Sequence, residues 1–285
     1  HNDFGYGAVM LFFDACGIDV ISADDGYNWM GNSLTFTDRI YTSNETTIIW
    51  GTLYKQIFAA NNVIATIDPE TTDPTAQFYL GQALATRAFD YWVLAQILQF
   101  NCVGNESKLC VPLITEENAA TAGVEGCPRS TVADTYALIM SDLDKAVTLF
   151  ESSSMKRADN RYINKGVAYG LRARVNLTMQ KWAAALADAE KAIENGGSPY
   201  SREAVSKPTF TEKEDWMWGI SIAETDRVVT SGIVNFPSHM GSLNYGYCNF
   251  TGGRQINKAL FATIPASDVR RGWWLDENGE SANLN

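Results

Sequence analysis

From Thr46 to Asn195 apolar residues recur every three to four positions in successive runs, the first closed by Pro69 and the last by Gly196-Gly197. Few folds accept such a pattern. In Thr46–Ile67, the residues Trp50, Tyr54, Ile57, Asn61 and Ile64 fall on one helical face, and Pro69 ends the run. Thr75–Phe100 carries Leu80, Leu84, Ala88, Trp92, Ala95 and Gln99 on one line, flanked by Tyr91, Leu94 and Leu98. So broad a stripe predicts a central helix buried on more than one side. A third helix opens at Thr131, where Asp134 three residues on fits a capping box that satisfies free amides of the first turn. Its face is Val132, Tyr136, Ile139, Leu143, Ala146 and Phe150.

Asn164–Asn195 is expected to form two helices joined near Gln180-Lys181. Val167, Leu171 and Val175 line the first; Trp182, Leu186, Ala189 and Ile193 line the second, which stops at Gly196-Gly197. Ala185, Ala189 and Ala192 have the small-residue spacing that lets the helices of a tetratricopeptide hairpin approach closely. The predicted fold is therefore all-α (mainly α): tetratricopeptide-like hairpins over residues 44–197, then a loop-rich segment over 198–285 with a small β element after residue 210. Trp216, Trp218, Ile220 and Ile222 alternate with Met217, Gly219 and Ser221, a strand-like period of two. A short helix is expected over Gln255–Ile264, before Pro265.

Charge narrows the partners. A net charge of −11 repels polyphosphate, and no Lys/Arg-rich stripe offsets it, so no nucleic-acid partner is expected. Neutral ligands such as sugars are not disfavoured. No stretch reaches the roughly 18–20 continuous apolar residues that span a bilayer. The chain opens His1-Asn2-Asp3 without Met or a basic leader, as a trimmed piece of a longer protein would. Five cysteines are too odd a set for a complete disulfide framework. Cys102 and Cys110, which bracket a short polar loop, are open to either a disulfide or two thiols; Cys16, Cys127 and Cys248 are expected as buried small hydrophobes.

Catalytic chemistry is thinly supplied. His1 and His239 are the two histidines, too few for a His-rich zinc site, and no Cys-x-x-Cys pair compensates, so no metal or cofactor is expected. His239 has no nucleophile elbow nearby. Gly252-Gly253-Arg254 is not followed by the Lys-Ser/Thr of a phosphate loop. Asp24/Asp25 and Glu116/Glu117 are carboxylate neighbours, whereas glycoside hydrolysis needs two carboxyls across a cleft; both pairs are expected as solvated loop charge. Asn61, an amide on an apolar face, is expected to tie down a loop or a neighbouring helix.

Aromatic residues in polar loops remain. Ser22–Tyr41 holds Asp25, Tyr27, Asn28, Trp29, Asn32 and Arg39 without helical periodicity. Leaving an indole in water forgoes favourable burial. A sugar ring has an apolar C–H face for Trp29 and a hydroxyl rim for Asn, Asp and Arg; the alternative is that Trp29 plugs the helical core from its loop. Asn244, Tyr245 and Tyr247 form a second group in a Gly-rich region, and Trp273-Trp274 a third, of which one ring is expected inward and one outward.

In order along the chain, several motifs resemble those of the SusD/RagB family. Trp50-x-x-x-Tyr54-x-x-Ile57-x-x-Ala60-Asn61 is similar to that family's W-x-x-x-Y-x-x-I-x-x-A-N helix, and Gly81-Gln82-Ala83 with Arg87-Ala88-Phe89-x-Tyr91 to its G-E-A…R-A-x-x-Y helix. Val111-Pro112-Leu113, Pro128-Arg129-Ser130-Thr131-Val132, the Leu171–Ala189 helix pair and Asp268-Val269-Arg270 follow in the family's order. Gln82 departs from the family's acidic residue, and the Cys-bracketed insert from its short turn.

The resemblance implies a lipid-anchored protein on the outer face of a Gram-negative outer membrane. It implies a lid on a SusC-like TonB-dependent transporter that captures oligosaccharide, or in some branches oligopeptide, without catalysis. This chain would supply the family's N-terminal part, residues 1–285 as one region, with its anchoring cysteine before His1. Ligand contacts are expected from Asp25, Tyr27, Asn28, Trp29, Asn32, Arg39, Asn244, Tyr245, Tyr247 and Trp273. The rival readings are an all-helical glycoside hydrolase and a tetratricopeptide scaffold for protein partners alone.

Overall fold

The computed structural model describes residues 5–22, 31–197, 199–205, 216–230, 238, 254–275 and 278–279. Its elements are α1 (Tyr6–Cys16), β1 (Val20–Ser22), α2 (Gly31–Leu34), α3 (Asn44–Ile64), α4 (Pro74–Leu98), β2 (Leu109–Pro112), α5 (Ala119–Glu125), β3 (Arg129–Thr131), α6 (Val132–Ser152), α7 (Lys165–Thr178), α8 (Trp182–Gly196), α9 (Arg202–Val205), α10 (Arg227–Thr230), β4 (Arg254–Ile256) and α11 (Lys258–Thr263), then a 3-10 helix, Val269–Trp274. The fold is mainly α. Two small antiparallel pairs, β1–β4 and β2–β3, complete the described secondary structure. The chain divides into two compact units: residues 1–52, 201–209 and 221–285 form one, and 53–200 with 210–220 form the other.

Local chemistry sets where the long helices begin. The Asp73 carboxylate accepts from the Ala76 amide at 2.7 Å with Pro74 in the first turn, Thr131 Oγ1 accepts from Asp134 N at 3.0 Å, and Asn164 Oδ1 accepts from Val167 N at 2.9 Å. Ser43 Oγ does the same for Thr46 N at 3.0 Å, starting α3 two residues ahead of the predicted boundary. The α3 burial stripe is Ile49, Leu53, Ile57, Ala60 and Asn61; Trp50, placed on that line by periodicity, is 40% exposed.

In the larger helical unit α4 is the centre. Fourteen of its residues are buried, from Phe78 to Ala95, and they point in all directions, as its wide apolar stripe predicts. Helix α6 packs along it, and α7 follows α6. The segment after β2 is strapped across this core by side chains from α3 and α4. Tyr54 OH donates to Pro112 O at 2.7 Å, Asn61 Nδ2 to Ile114 O at 2.9 Å, and Tyr91 OH both donates to Ile114 O at 2.8 Å and accepts from Ile114 N at 2.7 Å. Behind the strap, Arg87 makes a bidentate pair with Asp142 at 2.7 and 2.8 Å, donates to Asn61 Oδ1 at 2.9 Å, and also bonds Glu116. Asn61 thus ties a loop, as expected of a buried amide. Glu116, by contrast, is an ion-pair partner and not a solvated loop charge.

Helices α7 and α8 form a tight hairpin whose turn places Gln180 at φ 58° and whose far end closes on Gly197 at φ 99°. The face α8 buries is Ala185, Asp188 and Ala192, which follows the small-residue spacing read in the sequence and not the line of larger residues expected beside it: Trp182, Leu186 and Ile193 are 61%, 62% and 71% exposed. Both faces are apolar enough in sequence; close approach selects the small one. A Cβ at Gly166 would lie 2.7 Å from the Asn195 carbonyl carbon, so the helices meet backbone to backbone. Arg172 then locks the facing through a bidentate pair with Asp188 at 2.9 and 2.7 Å. Gly166→Ala is therefore expected to destabilise the protein by about 1–3 kcal/mol, measured as a lowered urea midpoint, because the obstructing atoms are backbone and cannot rotate away. An unchanged midpoint would mean that the two helices separate freely.

Residues 216–222 are not a strand. Their backbone groups are taken by the loop before α7 instead: Arg157 donates to Met217 O, Asn160 Nδ2 to Trp216 O, and Gly219 N to Asn160 O at 3.0 Å. Trp218 packs edge-on against Phe89 at 5.5 Å and its indole donates to Arg161 O. The β element after residue 210 is β4, and the helix predicted over Gln255–Ile264 is shortened to α11 because its first residues pair with β1. Cys102 and Cys110 are buried free thiols; Cys16 and Cys127 are also free but only half-buried, unlike the buried positions expected. Cys248 lies outside the described residues.

Candidate functional site

The antiparallel ladder of β1 and β4 pairs Val20 with Ile256, Ile21 with Gln255 and Ser22 with Arg254. The last rung joins the residue that leads into segment 23–30 to the residue that ends segment 239–253. Those two segments carry Asp25, Tyr27, Asn28 and Trp29, and Asn244, Tyr245 and Tyr247 respectively. These seven candidates lie outside the described residues, but Ser22 and Arg254, which border the two segments, stand side by side.

Asn32 and Arg39 belong to the compact turn that follows. Ser33 and Asp38 are buried, and Ser33 Oγ donates to Asp38 Oδ2 at 2.7 Å. The Asp38 carbonyl accepts from Ser43 Oγ at 2.8 Å and from Thr46 Oγ1 at 3.0 Å, anchoring the turn to the start of α3. Arg39 Nε donates to Asp38 Oδ1 at 3.1 Å, and its guanidinium lies 5.2 Å from the centroid of the Phe36 ring. Burial pushes the nearby Cys16 thiol up, against a smaller opposing pull from Arg39, so this cysteine is held as a protonated thiol. Asn32 is exposed, and its Oδ1 accepts from Thr37 Oγ1 at 3.3 Å. Asn32 and Arg39 are brought into one turn.

Trp273 sits on the 3-10 helix. Asp268 caps that helix by accepting from Arg270 N at 3.0 Å, and Arg270 chelates the same carboxylate, which holds it down at about 2. Arg271 stacks 4.2 Å over Phe261 and donates to Phe261 O and Ile264 O, which fixes the helix against α11. Both tryptophans are presented to solvent: Trp273 is 51% and Trp274 43% exposed, so the expected inward partner does not exist. The Asp268-Val269-Arg270 motif is thus a cap that displays two indoles. The sequence reading left open which of Trp273 and Trp274 faces outward, and it did not single out Phe36, which is 56% exposed. An aromatic residue between the hydroxyl residues Thr35 and Thr37 was the available signal for Phe36.

Among the described residues no group of three or more His, Cys, Asp or Glu side chains could hold a metal ion. No helix among them is long and apolar enough to cross a membrane. What the described parts of this unit present is exposed aromatic and amide surface on braced turns.

Helical hairpins strapped by loops, with aromatic side chains displayed on short capped turns, define a mainly α protein. Residues 19–177, more than half of the chain, match the SusD-like family described as starch-binding and associating with the outer membrane, and the chain belongs to that family. A SusD-like carbohydrate-binding protein from Bacteroides vulgatus ATCC 8482 superposes with a TM-score of 0.79 at 24% identity, over 95% of this chain and 55% of its own. A SusD superfamily protein from the same organism gives 0.72 at 24% identity, over 98% of this chain and 62% of its own. A laminarin-binding SusD-like protein gives 0.51 at 21% identity, over 69% of this chain and 41% of its own. The chain therefore spans little more than half the length of the first two structures. No curated protein matches the sequence.

Proposed function

We propose that this protein captures a neutral oligosaccharide outside the cell by aromatic stacking and hydrogen bonding, breaks no bond in it, and passes it to a TonB-dependent transporter of the SusC kind. Segment 44–197 acts as the rigid support and 198–285 supplies part of the ligand side, with Asp25, Tyr27, Asn28, Trp29, Asn32, Arg39, Asn244, Tyr245, Tyr247 and Trp273 as contacts. The protein is held by a lipid anchor on the extracellular face of the outer membrane. The observation that carries this reading is the Ser22–Arg254 rung, which roots the two aromatic segments at one end of one ladder. Two further features support it: the family is one of carbohydrate-binding proteins, and Arg39, the cation of the described turn, is already neutralised by Asp38. A turn whose one cation is already paired suits a neutral ligand.

Affinity electrophoresis through gels of neutral polysaccharides, laminarin and starch among them, tests the reading. The wild type is expected to be retarded by at least one glycan without releasing reducing sugar, and Trp29→Ala to weaken that retardation by about tenfold, the effect of removing one well-placed ring. Retardation that survives Trp29→Ala would move the site elsewhere. Sugar release abolished by one carboxylate substitution would make the protein a hydrolase instead.

A further inference from the structure

Helix α2 ends in a way that its sequence does not favour. Thr37 N donates to Asn32 O at 2.9 Å and Phe36 N to Ser33 O at 3.3 Å, the paired bonds of a Schellman motif. Phe36 occupies its left-handed position, with φ 59°. Glycine is the usual occupant, because any Cβ there crowds the following carbonyl, and a bulky aromatic is a backbone outlier. Nor does burial offset the strain: the ring is 56% exposed, with the Arg39 guanidinium 5.2 Å from its centroid. A residue unfavourable in backbone and in hydration alike, on a turn braced by the buried Ser33–Asp38 bond, is not explained by folding. Its surroundings describe a platform. The side chain of Asn32, whose carbonyl closes the motif, is exposed, Arg39 backs the ring with its charge met by Asp38, and Tyr41 two residues on is 90% exposed.

We infer that Phe36 is an additional sugar-stacking platform, holding the apolar face of one neutral ring while Asn32 pairs with its hydroxyls. The inference rests on the glycan-capture reading above and adds a subsite to it. Strained presentation keeps the ring out of the core, and the stacked guanidinium limits its motion, so little order has to be created when a sugar arrives.

Phe36→Gly separates binding from folding, because it relieves the backbone and removes the ring together. The variant is expected to melt a few degrees higher than the wild type and to bind the retarding glycan about three- to tenfold more weakly. Phe36→Trp keeps a ring and is expected to retain affinity. The probes are the laminarin and starch gels, run in parallel with Trp29→Ala. Undiminished binding by Phe36→Gly, with Trp29→Ala weakened, would overturn the platform and leave the capture reading standing. A lower melting temperature for Phe36→Gly would show the ring to be a structural contact and would also overturn it. A wild type retarded by neither glycan, nor by any other neutral polysaccharide in the panel, would remove both.

Discussion

Asp142→Ala is expected to lower stability by about 3–5 kcal/mol, the loss typical of breaking a buried ion pair from one side. Arg87 is 3% exposed and gives two of its donors to Asp142 at 2.7 and 2.8 Å. Removing the carboxylate leaves a guanidinium that cannot deprotonate and cannot reach water. Burial, joined by the nearby Glu116 charge, holds the Asp142 carboxyl above the ordinary carboxylate range although the Arg87 guanidinium beside it pulls the other way, so much of the pair's attraction goes to offsetting desolvation. An apolar replacement of both, Arg87→Met with Asp142→Leu, removes the stranded charge but takes the donor from Asn61 Oδ1 and Glu116, and is accordingly expected to recover only part of the loss. Urea unfolding of the two single variants and the double variant, read as a thermodynamic cycle, measures the coupling. A single-variant cost under about 1 kcal/mol would mean that Asn61 and Glu116 alone satisfy the arginine. Because the same arginine braces the strap held by Tyr54, Asn61 and Tyr91, the damage should extend to the segment around Ile114, seen as faster amide exchange there.

The second large effect depends on pH. Asp90 is fully buried on α4, and neither carboxylate oxygen has a hydrogen-bond partner among the described residues. Desolvation alone pushes its pKa up from 3.8 to about 8. A carboxyl whose folded value lies above its unfolded value contributes most below the unfolded value, and that contribution is lost as pH rises through the folded one. Between pH 5 and pH 8 the wild type should therefore lose about 4 kcal/mol through this one group, at about 1.4 kcal/mol per pH unit. Asp90→Asn keeps the shape and cannot ionise. Its buried amide carries its own penalty, but that penalty does not change with pH. The variant is expected to be no more stable than the wild type at pH 5 and clearly more stable at pH 8. Parallel stability curves for the two proteins across that range would mean that the Asp90 carboxylate is solvated or paired after all.

Only the composition of the candidate segments was legible. An aromatic-rich polar stretch between helices is visible in the order of residues, and the ladder that roots two such stretches together is consistent with their grouping. Phe36 was not legible as a strained residue. The signal that announces a left-handed turn is glycine or asparagine, and here the position is filled by the residue type least expected there. The exposure of both Trp273 and Trp274 was equally hidden, since a pair of adjacent rings carries no record of which way a capped 3-10 turn will face them.

At the starts of the long helices, where the controlling interaction spans only a few residues, sequence alone determined the outcome. Asp73, Thr131 and Asn164 cap the helices that follow them because donor and acceptor lie three residues apart, and the all-round burial of α4 was implicit in a stripe too wide for one neighbour. Tertiary structure decided the choices between faces and partners that local pattern leaves equal. Trp182, Leu186 and Ile193 lost to Ala185 and Ala192 because only small residues admit a backbone as close as Gly166 is to Asn195. The alternation at Trp216–Ile222 produced no strand because Arg157 and Asn160, more than fifty residues earlier, took its carbonyls first. A periodicity states which side chains can share a surface, but the free energy of that surface belongs to whatever packs against it, and that partner lies elsewhere in the chain.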